Sequence, residues 1–249
     1  MKRTERHHLK ENEVAIQVGK LVALYEARRR EFNLAAYVVV AVLLLSGGYY
    51  YWQQRTRSQA ADLLAQATMV LNAPVVPPAA PAADGKPAPP PPPGSYPSDQ
   101  ARYEAALPKL TAAADRYPST EAGISARYQE GTALLALGRP ADAVAAFQQV
   151  MQQAGSGVFT QMARLGLAEA HAQQGHYDEA IATFKALTLQ PDGQLPIDGI
   201  LMQLGRTYVA AGKTAEAVQA FKRIVQEFPD SPYSPEAQQQ IDQLEGHNG

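Results

Sequence analysis

Two features predict an all-α chain made of a single N-terminal transmembrane helix followed by a helical solenoid. One long uncharged apolar run lies near the N-terminus, and a later set of small and aromatic residues recurs every 37 positions. A proline-rich stretch lies between them. The expected organisation is a cytoplasmic basic segment with an amphipathic helix at 1–33 and a transmembrane helix at 34–52. A helix at 53–73, read as the first of the solenoid, then precedes a proline-rich disordered insertion or linker at 74–100 and a repeat domain with a C-terminal capping helix at 101–245.

Composition limits what such a chain does. With 46% hydrophobic residues among 249, there is enough apolar side chain for a real core. The net charge of -2 hides an asymmetry: residues 1–33 carry eight Lys or Arg against five Asp or Glu, whereas residues 101–249 carry eleven against sixteen. An acidic repeat part is a poor partner for phosphate backbones, so no nucleic-acid role is expected. The absence of cysteine excludes disulfides, thiol catalysis and thiolate metal sites.

The run "LAAYVVVAVLLLSGGYYYW" at 34–52 has no charge. As a helix rising about 1.5 Å per residue it comes close to the roughly 30 Å of a bilayer core. Gly47 and Gly48 are tolerated in such a helix, and Tyr49, Tyr50, Tyr51 and Trp52 form the aromatic cluster expected at a lipid–water interface. More than thirty residues precede the run and no small-residue cleavage pattern follows it promptly, which predicts a retained anchor and not a cleaved signal peptide. Lys20, Arg28, Arg29 and Arg30 on the N-terminal side outnumber Arg55 and Arg57 on the other, which places the N-terminus in the cytoplasm. Val14, Val18, Leu21, Val22 and Tyr25 fall on one helical stripe. That stripe either lies on the membrane, docks a partner, or extends the anchor.

The solenoid rests on three segments: "GTALLALGRPADAVAAF", "AEAHAQQGHYDEAIATF" and "GRTYVAAGKTAEAVQAF". Gly138, Gly175 and Gly212 are 37 residues apart, as are Ala143, Ala180 and Ala217, and Phe147, Phe184 and Phe221. Two helices per unit satisfy this register: a turn at the glycine, a small residue where the helices cross, and an aromatic plug between units. The pattern resembles the tetratricopeptide family, whose repeat is about 34 residues. Gly205, Tyr208, Gly212, Ala217, Phe221 and Pro229 match its six signature positions; the second unit has Ala168 and His171 in its first helix, and the first unit has Leu134 in place of the tyrosine. The loops "QQAGSGV" and "QPDGQLP" absorb the extra residues, and the helix after "FPDSPYSPEAQQQI", up to Leu244, covers the open end of the stack.

One period before the first unit lie Ala106, Leu110 and Tyr117-Pro118, the marks of a second helix. The place of its first helix is occupied by prolines. A candidate lies upstream in "RSQAADLLAQATMVL", where Leu64, Ala65 and Thr68 take the family's offsets. The proline run is therefore either a loop inside the first unit or a stalk.

Little in the sequence points to catalysis. His171 and His176 are five apart, unlike the i, i+4 pair of a metal site, and His7, His8 and His247 are scattered. There is no phosphate-binding glycine loop and no nucleophile elbow. The carboxylates of "YDEA" and "TAEA" sit at helix starts, where they stabilise the positive end of the helix dipole. The expectation is a non-enzyme without cofactor or metal.

The tetratricopeptide resemblance implies that first helices line a protein-binding groove. Carrying the family's ligand positions over gives Ser125, Tyr128, Thr132 and Leu135, then Met162, Leu165, Glu169 and Ala172, then Met202, Arg206 and Val209. The basic residues that some members use to clamp a C-terminal carboxylate are replaced by Tyr128, Leu165 and Met202. Leu165 and Met202 either line the groove or pack between helices.

The whole layout, with "RTERHHLKENEVA", "EARRREF", one span and repeats from "RYPSTEAGISARYQEGTALLALGR", resembles the bacterial YfgM-type family of ancillary subunits of the Sec translocon. That resemblance implies a single-pass inner-membrane protein whose periplasmic repeats contact the translocon, periplasmic chaperones or emerging secreted chains. The segment "FPDSPYSPEAQQQIDQL" is also similar to the periplasmic cell-division coordinators called CpoB and to outer-membrane assembly lipoproteins, which implies a structural scaffold instead. Topology is directly testable. A periplasm-active reporter fused after Gly249 is expected to be active and one fused before Glu26 inactive, and the reverse result overturns the compartment.

Overall fold

The structure is a computed structural model and describes residues 19–20, 23, 28–78, 92–189 and 195–246. The stripe from Val14 to Tyr25, the centre of the proline run at 79–91, and the histidines at 7, 8 and 247 lie outside the described residues. The chain divides into two compact units, Met1–Arg55 and Thr56–Gly249.

Helix α1, Arg29–Leu71, contributes to both. The sequence suggests separate elements at 34–52 and 53–73, but the helix is continuous for 43 residues and contains no proline. Neither Gly47 nor Gly48 interrupts it, and the Ser46 hydroxyl returns a hydrogen bond to the Leu43 carbonyl at 3.1 Å. In the first unit the large apolar side chains from Leu34 to Trp52 are exposed. By length and composition this helix is sufficient to cross a membrane.

The second unit adds α2 (Asp99–Arg116), α3 (Glu121–Ala136), α4 (Pro140–Gln153), α5 (Val158–Gln173) and α6 (Tyr177–Thr188). It continues with α7 (Ile197–Ala210), α8 (Thr214–Glu227) and α9 (Ser234–Gly246). These are consecutive antiparallel pairs, and each helix packs on the next from α2 onward.

The turns inside the units repeat in atomic detail. Gly138, Gly175 and Gly212 have φ of +68°, +79° and +70°, the left-handed region where a side chain is strained. The amide of the following residue reaches back five positions: Arg139 to the Leu134 carbonyl at 2.8 Å, His176 to His171 at 2.9 Å and Lys213 to Tyr208 at 2.9 Å. This bond closes the helix end in a Schellman arrangement. Each following helix carries acid in its first turn, Asp142, Asp178 with Glu179, and Glu216, facing the dipole's positive end.

Packing follows the same register. Ala143, Ala180 and Ala217 are fully buried, and Phe147, Phe184 and Phe221 are no more than 1% exposed. Phe147 touches backbone on both sides. A methyl group added at Gly131 of α3 would come within 2.7 Å of its ring, and one added at Gly166 of α5 within 2.4 Å. The ring thus holds the first helix of its own unit and that of the next. Phe221 meets Gly205 in the same way, at 2.4 Å.

The segment upstream of the proline run joins the stack. Leu63, Leu64, Ala67 and Val70 of α1 pack with Ala106, Leu110 and Ala113 of α2 and with Ala126 and Ala133 of α3. The Tyr117 hydroxyl donates to Gln59 Oε1 at 2.9 Å, and Arg102 Nη1 donates to the Ala73 carbonyl at 3.3 Å. The ends of the proline run meet: the Val76 amide donates to the Tyr96 carbonyl at 2.8 Å and the Tyr96 amide to the Pro74 carbonyl at 2.9 Å. The described chain on the two sides of the run, Pro74–Val76 and Tyr96, is therefore paired. At the other end α9 buries Ala237 and Ile241, and exposed pairs such as Lys222–Glu245 at 2.7 Å add little to that apolar contact.

Gly166→Ala is expected to lower unfolding stability by about 1–3 kcal/mol through the clash with Phe147. Phe147→Ala should cost about 3–5 kcal/mol through the cavity it leaves. Denaturant titration of the full-length chain measures both, and wild-type stability in Gly166→Ala would show that the ring does not rest on that backbone.

Candidate protein-binding groove

First helices of successive units touch directly, α3 with α5 and α5 with α7, and so form a continuous layer. Along each, residues spaced three and four apart share one face. On α3 this brings Ser125, Tyr128 and Thr132 into line, the first two half-buried and the third exposed. On α5 it aligns Met162, Leu165, Glu169 and Ala172, all half-buried, and on α7 it leaves Arg206 and Val209 exposed. Two residues expected in the groove belong elsewhere. Leu135 is 9% exposed and packs in the cluster around Phe147, while Met202 is 1% exposed and packs with Tyr208 and Phe221. Both contribute to the core, because helix rotation turns Leu135 of α3 and Met202 of α7 inward.

Local bonds fix the polar members. Gln129 Nε2 donates to the Ser125 hydroxyl at 3.2 Å, and the Thr132 hydroxyl donates to the Tyr128 carbonyl at 3.2 Å. The Tyr128 ring leans on Phe147 with centroids 5.8 Å apart, which ties the groove wall to the aromatic plug. Burial pushes the Tyr128 phenol above its ordinary pKa; hydrogen bonding from Thr132 opposes this and the negative charge of Glu169 adds to it. Burial likewise raises the Glu169 carboxyl above the ordinary carboxylate range. Arg206, one period after Glu169, is engaged with Glu236 of α9 at 2.6 Å.

Other features escaped the sequence reading. Arg127 is 7% exposed and pairs with Asp115 and, at 2.6 Å, with Glu130, whose other oxygen accepts from Thr111 at 2.8 Å. This network walls a polar cleft of about 290 Å³. Leu201 and Leu204 stand two periods after Arg127 and Glu130, and they wall a cleft of about 380 Å³ beside Tyr208 and Leu189. The same place in the fold is therefore charged in one unit and apolar in another, a contrast visible in the sequence once the units are aligned at first-helix positions. His171 and His176, separate by helical spacing, have ring centroids 5.8 Å apart because the Gly175 turn folds the second back over the first. Among the described residues no three His, Asp or Glu side chains are grouped to hold a metal ion.

The buried carboxylate has a sign-definite consequence. A raised folded-state pKa means that ionised Glu169 destabilises the fold above that pKa and that the penalty disappears as pH falls through it. Glu169→Gln is expected to melt at a higher temperature than wild type at pH 8, with the difference closing toward pH 4, near the ordinary carboxylate range. Thermal melts across pH test this, and a pH-independent difference would contradict it.

Comparison with known proteins places the repeats. Tetratricopeptide-repeat family models match residues 128–194 and 200–231. No curated protein matches the chain. Among solved structures, the nearly identical TPR-like repeats of a kinesin-light-chain-like protein from Podosopora anserina superpose with a TM-score of 0.50 at 18% identity, covering 59% of this chain and 80% of that one. A Q17M variant of the same repeats gives 0.51 at 18%, covering 59% and 79%. A tetratricopeptide repeat protein from Parabacteroides merdae gives 0.46 at 15%, covering 60% and 56%. With Schellman turns, buried alanines and aromatic plugs in one register, and with the two family-model matches, residues 128–194 and 200–231 are tetratricopeptide repeats.

Proposed function

We propose that this chain is a membrane-anchored scaffold of the bacterial inner membrane whose repeats bind envelope or secretory proteins in the periplasm, as an accessory of protein translocation or periplasmic chaperoning. Tetratricopeptide repeats are protein-interaction modules, and the observation that carries the reading is the first-helix face of α3, α5 and α7. It presents Tyr128, Met162, Leu165 and Val209 without full burial. Tyr and Met adapt to extended chains of varied sequence, which suits a scaffold that meets many clients. The apolar part of α1, flanked by more cations on its N-terminal side, supports the anchor and its orientation. The proposal includes one span, protein or peptide partners such as the Sec translocon and periplasmic chaperones, and neither nucleic acid, cofactor nor catalysis.

A second reading, a scaffold coordinating cell division, wall synthesis or outer-membrane assembly, is favoured by the C-terminal segment "FPDSPYSPEAQQQIDQL". A photo-crosslinking residue placed at Met162 in the full-length chain separates the two in living cells. Recovery of translocon subunits or secretory chains is the expected result. Recovery only of division or wall-synthesis proteins would replace the first reading with the second.

A further inference from the structure

We propose that the occupant of the groove is an extended protein segment with a lysine or arginine among apolar residues, its cation seated between the Glu169 carboxylate and the Tyr128 ring. The proposal rests on the reading of the α3, α5 and α7 face as the ligand surface.

Glu169 has no hydrogen-bonding or ion-pair partner among the described residues, although it is half-buried. A carboxylate in that setting loses hydration without compensation, which destabilises the folded chain unless a ligand supplies the missing charge. Among the described residues no cation does so. The repeat-equivalent residues are Thr132, which is neutral, and Arg206, which is bound to Glu236. By contrast, the buried Glu130 of α3 is answered by Arg127 and Thr111, and the half-buried Asp198 of α7 accepts from the Ser231 hydroxyl at 2.6 Å.

The surroundings specify the rest of the ligand. Tyr128 and Glu169 are half-buried on the faces of two first helices, α3 and α5, that touch directly, so the groove offers a ring and a carboxylate on neighbouring helices, the pairing that holds a lysine or arginine head group. Leu165 and Met162 lie one and two turns before Glu169 on the same face of α5. Those side chains are spaced about 5–6 Å apart, whereas alternate side chains of an extended peptide are about 6.6–7 Å apart. An apolar residue two and four positions from the cation therefore lies over Leu165 and Met162. The polarity is opposite to a groove that clamps a carboxylate.

The test uses three synthetic peptides with the full-length chain in detergent: one with a Leu-Ser-Leu-Ser-Lys core, one with Gln for Lys, and one with Glu for Lys. Wild type should bind the Lys peptide most tightly. Glu169→Gln should weaken that binding about tenfold while leaving the Gln peptide unchanged, and Tyr128→Leu should weaken it about threefold. Glu169→Lys should reverse the preference toward the Glu peptide, a rescue that misfolding cannot produce. Equal binding of the three peptides in the groove, or an unchanged Glu169→Gln, overturns this proposal alone. If the Lys peptide is trapped by a photo-crosslinker at Leu189 and not by one at Met162, the groove reading falls and this proposal with it. Absence of binding by all three also overturns it.

Discussion

The contact on which the second unit depends is a phenylalanine ring set against helix backbone. Phe147 rests on Gly131 of its own unit and on Gly166 of the next, with room for no added methyl at either. Burying one such ring contributes about 1.5–3 kcal/mol. The geometry matters more than the energy, because a ring lying on two backbones fixes both the separation and the rotation of neighbouring first helices. Alanines at 143, 180 and 217, all fully buried, permit the second helix to cross close enough for the ring to reach. The Schellman turns at Gly138, Gly175 and Gly212 set the phase between the two helices of each unit. First helices fixed in this way touch one another in succession and form one layer.

The same constraint divides side chains between core and groove. On α7 the rotation that seats Phe221 against Gly205 turns Met202 inward and leaves Arg206 facing out toward Glu236. On α5 it leaves Glu169 at the boundary, half-buried and without a partner among the described residues. Tyr128 connects the two roles, since its ring leans on Phe147 while its position on α3 faces the groove. Tyr128 thus ties the first-helix face to the plug.

Much of the solenoid was legible in the sequence because it is written in residues with one physical use. Glycine at a left-handed turn, alanine at a close crossing and phenylalanine as a plug keep a 37-residue register that needs no tertiary knowledge. The helix upstream of the prolines was legible by stepping that register backward, and the pairing of Val76 with Tyr96 shows how the chain closes the gap. What escaped depended on rotation and on the third dimension. Periodicity puts Leu135 and Met202 on the groove face, and only packing reveals that they turn inward. Helical spacing separates His171 from His176, and only the turn at Gly175 brings them together. The seat of Phe147 on Gly166 was hidden because Gly166 is out of register with Gly131; the matching position in the next unit is Gln203. Family offsets put Glu169 on the groove face, but its lack of a partner among the described residues is a property of the assembled helices.

The central claim is that ligand is held by the first-helix face and not by the apolar cleft beside Leu189. Hydrogen–deuterium exchange of the full-length chain, with and without the lysine-containing peptide, addresses it most directly. The account predicts added protection concentrated in α3 and α5, extending to α7, with α6 and α8 unchanged. Protection confined to α6, α8 and the residues lining the Leu189 cleft would contradict it.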